Sequence, residues 1–277
     1  CVERAISNAP DAWYSNQLYN LSAALYALMG QLASAESAAR RAVMLDPNWV
    51  FSHKTLAEIL AMQGRLEEAL DVALQGIRAT ESFDDPSYQD EIWRTLGTIQ
   101  MHCGSHKALA SLNKAVQLDR HDVDMRNYLM LARLHLAPSN HRDVELALDE
   151  AEYARVKAKE FTVDPMFDRI LAQALMENGR LLEAVARAET AIKGGDESPA
   201  YGHLIASIAL AELGQAEAAK AELEAARTKH PRFTNGFAAH AKRDFFWIDT
   251  QEEYERLRKR AEQLIPSGSA QPTCERS

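Results

Sequence analysis

Small and apolar residues fall at helical spacing along most of this chain, in pairs of stretches joined by a glycine turn. The pairs return about every 34 residues. In the first copy Tyr19, Ser22, Ala23 and Tyr26 mark one helix, Gly30 the turn, and Ala35, Ala39 and Ala42 a second helix that Pro47 ends. Leu56, Ala57, Leu60, Gly64, Ala69, Ala73 and Gly76 restate the spacing, and Trp93, Leu96, Gly97, Ala108, Leu112 and Ala115 restate it with the Cys103–Gly104 turn one residue short. A looser fourth copy has Tyr128, Leu131 and Ala132, then Ala147 and Ala151, with a long loop predicted over Pro138–Asp143. Leu171, Ala172, Leu175, Gly179, Ala184, Ala188 and Ala191 form the fifth, and Ala206, Leu210, Gly214, Ala219, Leu223, Ala226 and Pro231 the sixth.

Each residue type has a physical reason to stand where it does. Ala23, Ala57 and Gly97 suit points where two helices cross closely, and Tyr26 and Leu60 fill the space between turns. The turn glycines permit a left-handed cap, and proline lacks the donor that a continuing helix needs.

Over Asn16–Phe233 this pattern resembles the tetratricopeptide repeat (TPR) family. The resemblance implies an all-α fold, a right-handed superhelix (α-solenoid) of six helix-turn-helix repeats with a C-terminal capping helix. The predicted repeats are 16–49, 50–89, 90–124, 125–164, 165–199 and 200–233. Residues 1–15 are predicted to be the remnant of a preceding repeat, since Ala5, Ile6 and Pro10 match the end of a second helix. An aromatic plug and capping helix are predicted over 234–265, and a flexible tail over 266–277. A start at Cys1 is expected of a portion of a longer polypeptide, or of a mature lipoprotein lipidated at that cysteine.

Charge and cysteine content narrow the functional classes. A formal net charge of -9 argues against nucleic acid as a partner of this region, because phosphate binding needs a basic stripe. Cys1, Cys103 and Cys274 lie far apart and suggest no disulfide framework, which favours a reducing compartment or indifference to redox; a cytoplasmic location is expected, with a lipid-anchored periplasmic one as the alternative. No apolar run of about 18 residues is present, so no membrane span is expected.

In TPR arrays the first helix of each repeat lines the concave face, its second, fifth, ninth and twelfth positions pointing inward. The resemblance therefore places Lys54, Arg94, Arg126, Arg133 and Arg169 on or near a groove. Arginine's planar fork suits carboxylates, so an acidic peptide segment or a chain terminus is one expected ligand. Pairing with neighbours such as Glu58 and Glu91 is the alternative. The carboxylate clamp of some TPR domains is not expected, because Ala24, Glu58 and Thr98 stand where it needs asparagine. Leu28, Phe51, Met62, Met101, Met130 and Met176 offer adaptable apolar contacts, or packing between neighbouring helices.

Catalytic chemistry finds little support. His102, Cys103 and His106 cluster at a turn but lack an obvious fourth zinc ligand. Ser111 and Lys114 form a Ser-x-x-Lys string that the helical repeat explains, and Asp84, Asp85 and Asp90 read as a solvated loop. No metal, cofactor or catalytic residue is expected. Near the C-terminus come Phe237, Phe245, Phe246, Trp247 and Ile248, then a capping box of Thr250 and Glu253. The helix it opens carries Tyr254, Leu257, Ala261 and Leu264 on one face and Arg256, Arg258, Lys259 and Arg260 on others. The order from His230 to Pro266 also resembles the close of TPR regions in bacterial multidomain signalling proteins, among them class III adenylate cyclases and winged-helix regulators.

The sequence thus predicts a non-enzymatic protein-protein interaction scaffold that binds a peptide or protein partner in its groove, as part of a larger bacterial protein. A regulatory module of an upstream cyclase or winged-helix regulator, and a lipid-anchored assembly lipoprotein, are the alternatives; homo-oligomerisation stays open.

Overall fold

The computed structural model describes residues 12–81, 89–136, 141–161, 165–195, 199–229 and 251–265. Ala5, Ile6, Pro10, Asp84, Asp85, Pro138, Pro231, Thr250, the Phe237–Ile248 aromatics, Cys1, Cys274 and the 266–277 tail lie outside them.

Every element among the described residues is an α-helix. The first unit contains α1 (Ala12–Leu28), α2 (Leu32–Leu45), α3 (Val50–Met62), α4 (Leu66–Glu81), α5 (Gln89–His102), α6 (Lys107–Leu118), α7 (Val123–Leu136) and α8 (His141–Phe161). The second contains α9 (Pro165–Glu177), α10 (Leu181–Gly194), α11 (Pro199–Glu212), α12 (Ala216–Thr228) and α13 (Gln251–Leu264). Within each unit the odd-numbered helices up to α11 are the A helices of successive repeats, and each packs against the even-numbered B helix that follows it.

The expected crossings are made by small side chains. Ala23, Ala57, Ala35, Ala69 and Ala73 are fully buried in the first unit, with Ile59, Leu60, Ile92, Ile99 and Leu112 filling the space between helices. In the second unit Ala172, Ala184, Ala188 and Ala206 take that role around Ile170, Leu175, Leu204 and Ile208. Alanine lets the axes approach while the branched residues restore density, which is why the spacing survives large changes elsewhere.

Five of the A-to-B turns share one hydrogen-bonding pattern. At Gly64 the backbone N–H donates to Ala61 O at 2.9 Å and that of Arg65 donates to Leu60 O at 3.0 Å. The same two bonds recur at Gly30, Gly104, Gly179 and Gly214, satisfying carbonyls that the helix end would otherwise strand. Gly64 sits at φ +77°, with open space where a Cβ would be. Substitution there therefore costs backbone strain alone: Gly64→Ala is expected to destabilise by about 1 kcal/mol, read as a lowered thermal midpoint.

The third turn is as regular as the others, and its missing residue is taken up beyond it. Ala108 N–H donates to Ser105 O at 3.0 Å and Leu109 N–H to His106 O at 3.3 Å, so helix B opens with a tighter three-residue turn. In the fourth repeat His141, Arg142 and Asp143 belong to the first turn of α8, which corrects the loop predicted through Asp143. The irregularity lies in helix length: α8 runs 21 residues against 12 for α6. Asp90 likewise stands in the first turn of α5 rather than in a loop. Helix α2 ends at Leu45, with Asp46 N–H donating to Ala42 O just before Pro47.

Candidate functional site

The A-helix face is the natural place to look for a binding surface, because its second, fifth and ninth register positions carry the charged and aromatic residues singled out above. In the first unit Lys54 ion-pairs with Glu91 of the next A helix and with Glu58 one turn along its own, at 3.8 Å. Its ammonium also lies 5.0 Å from the Phe51 ring centroid. Thr95 Oγ1 donates to Glu58 Oε1 at 3.4 Å, a second link from α5 back to α3. Arg94 is 5% exposed, with its guanidinium 6.0 Å from the Tyr128 ring on α7. The fifth-position cations thus tie successive A helices together.

Asn20 stands at that same position in the first repeat and continues the seam with neutral groups. Its amide donates to Ser52 Oγ at 2.9 Å and to Asn16 Oδ1 at 3.0 Å, and Asn16 donates to Ser52 Oγ and to Ala42 O. Sequence reasoning passed over Asn16, Asn20 and Ser52 because it looked for charge. Their register was the available signal.

The remaining cations of this unit turn toward B helices. Arg126 pairs with Glu150 of α8, lies 3.9 Å from the Tyr153 ring and donates to Arg120 O at 3.0 and 3.2 Å. Arg133 donates to Asp143 Oδ1 at 3.0 Å and to Asn113 Oδ1 at 3.3 Å, reaching both α8 and α6. Of the apolar candidates, Phe51 and Met101 are half-buried and keep surface, and Leu28 is exposed. Met62, Met130 and Met176 are buried and belong to the core.

In the second unit Arg169 is 2% exposed and its guanidinium stands 5.3 Å from the Tyr201 ring, the same A-to-A link seen at Arg94. Helix α13 lies against this unit. Glu253 accepts from Gln173 Nε2 at 2.8 Å and pairs with Arg256, while Tyr254 meets Tyr201 edge-on with centroids 5.8 Å apart. Arg260 donates to both carboxylate oxygens of Glu177 at 2.9 Å and to Glu212 at 2.8 Å. Tyr254, Leu257 and Ala261, on the predicted apolar face, are buried, whereas Leu264 is exposed.

Of the residues considered for chemistry, Ser111 has a structural occupation. Ser111 Oγ donates to Gln100 Oε1 at 2.7 Å, joining α6 to α5. Burial, and then the nearby Glu67, push the Cys103 thiol up, the reverse of what a reactive thiolate needs. Among the described residues no three His, Cys, Asp or Glu side chains group as a metal would require, and no helix is long and apolar enough to cross a membrane.

No protein-family model and no curated protein matches the sequence. Solved structures do match. A chain of the APC/C hetero-tetramer Cut9–Hcn1 superposes with a TM-score of 0.67 over 94% of this chain at 14% identity, and the match spans 45% of that chain's own length. PilW, a type IV pilus biogenesis factor, gives 0.64 over 77% of this chain and 93% of its own at 16% identity. A tetratricopeptide repeat protein from Parabacteroides merdae gives 0.58 over 94% and 90% at 14% identity. The fold is that of tetratricopeptide repeats, an all-α solenoid.

Proposed function

We propose that this TPR-fold chain is a non-enzymatic protein-protein interaction scaffold, and that the A-helix face of its first unit receives a peptide or protein segment. One observation carries the reading: Phe51 is half-buried with its ring 5.0 Å from the Lys54 ammonium, which pairs with Glu91, an apolar anchor set among charges of both signs, and the half-buried Met101 keeps apolar surface at the other end of α5. Such a face suits a segment with one or two apolar side chains in a polar context, since desolvated anchors supply most binding energy and a charged rim supplies register. An acidic segment would have to replace Glu91 at Lys54 or Glu150 at Arg126, so it enters only by exchange. The presence of Hcn1 beside Cut9 in a complex of the same fold is in keeping with a protein partner.

A displayed peptide library selected against the full chain tests this. Binders should weaken about tenfold or more on Phe51→Ala with Met101→Glu, with circular dichroism unchanged. Binders that hold the variant as tightly would place recognition elsewhere.

A further inference from the structure

The position of α13 within the second unit is informative. A helix standing where a following A helix would stand meets α11 and α12 but is screened from α9 by α11. Yet α13 touches Gln173 and Glu177 of α9 as well as Tyr201 and Glu212 of α11. Gln173 and Glu177 lie one turn and two turns beyond Arg169 on a single stripe of α9. Tyr201 and Glu212 open and close the matching stripe of α11. Helix α13 therefore lies across the A-helix face, in the place a ligand of this fold would take.

We propose that this face is a helix-binding site whose resident ligand is the chain's own Gln251–Leu264 segment, seated so that it exchanges with an outside helix of the same pattern. The pattern is an acid and an aromatic in succession, an aliphatic residue three positions on, and then an arginine and an alanine, as in Glu253, Tyr254, Leu257, Arg260 and Ala261.

The chemistry of the seam supports exchange. Four Glu, three Arg and one Lys stand among the 14 residues of α13, and only Tyr254, Leu257 and Ala261 anchor it apolarly. The A and B helices beneath it are joined instead through buried alanines and leucines. Arg260, Glu177 and Glu212 keep 31%, 19% and 28% side-chain exposure, and Arg227–Glu262 adds a more exposed pair. Ion pairs of that kind contribute little each and weaken with salt, so the seat opens at lower free energy than the repeats that form it. A ligand on the same chain nevertheless competes at high effective concentration, so the site stays filled until a stronger helix arrives.

Hydrogen exchange and peptide binding on the full chain test the proposal. Arg260→Glu sets a carboxylate against Glu177 and Glu212, and Leu257→Glu removes the central anchor; neither alters α9 to α12. In both variants the amides of α13 should lose protection about tenfold or more while those of α9 to α12 keep theirs. A fluorescent peptide of residues 250–265, with the wild-type sequence, should bind both variants about tenfold more tightly than it binds the parent chain, because the cis competitor is weakened. Protection lost equally from α9 to α12 would make α13 a fixed part of the core. Peptide binding no tighter to either variant would likewise overturn the proposal. Neither readout involves Phe51 or Met101, so failure here leaves the first-unit reading standing.

Discussion

Gly97→Ala is expected to destabilise the first unit by about 1–3 kcal/mol, although the same change in an ordinary helix interior stabilises by about 1 kcal/mol. A Cβ on Gly97 would stand 2.6 Å from Leu112 Cγ, 2.9 Å from its Cδ2 and 3.1 Å from its backbone N. Cγ is not the free end of a flexible chain, and Leu112 is fully buried, so relief requires α5 and α6 to part. Overpacking then outweighs helix propensity, and Gly97→Leu should cost more than either estimate. Leu112→Ala supplies the control. Alone it leaves a cavity worth about 2–5 kcal/mol, but in its presence Gly97→Ala should become neutral or stabilising. Urea unfolding followed by circular dichroism measures the cycle, and hydrogen exchange should centre the loss on α5 and α6, as nearest-neighbour coupling of repeats requires. A stabilising Gly97→Ala in the parent chain would refute the close crossing.

That crossing was legible in the sequence, as were all the A-to-B turns with glycine, because both follow from the size of one residue at one register position. Register also says which face of a helix a side chain occupies. It does not say what sits opposite. Lys54 finds Glu91 at a separation of 37 residues, Arg126 finds Glu150 at 24, and Gln173 finds Glu253 at 80. Those partners depend on how far successive helices advance and on where α13 folds back, and neither is written in the 34-residue period. The sequence leaves two readings of these cations open, a groove for carboxylates and pairing with neighbours such as Glu58 and Glu91; the structure pairs or stacks each of them, Lys54 with those two acids. The first turn of α8 was missed for a related reason: His141–Asp143 follow Pro138, and a polar stretch after proline resembles a loop until its backbone bonds are seen.

Lys54→Met is expected to lower the stability of the first unit by about 2–3 kcal/mol, more than the loss of an exposed ion pair would. Glu58 is 2% exposed, and Lys54, itself 13% exposed, places a cation 3.8 Å from it. Removing one partner of a fully buried pair typically costs about 3–5 kcal/mol; the partial exposure of Lys54, its 3.8 Å separation from Glu58, and the other contacts of Glu58, the Thr95 hydroxyl among them, reduce that here. The double change Lys54→Met with Glu58→Leu removes both charges of this pair and should recover part of the loss, since well-packed apolar replacements of a buried pair are often neutral, while the contact with Glu91 stays lost. Thermal and urea unfolding of the two single variants and the double variant give the coupling energy directly. A near-zero coupling, with Lys54→Met costing no more than a surface substitution, would free Lys54 from its structural duty and return it to the set of residues available to bind an acidic partner. A large coupling instead makes Lys54 a structural residue that holds α3 to α5, and leaves the proposed contacts of Phe51 and Met101 to be decided by the binding measurement.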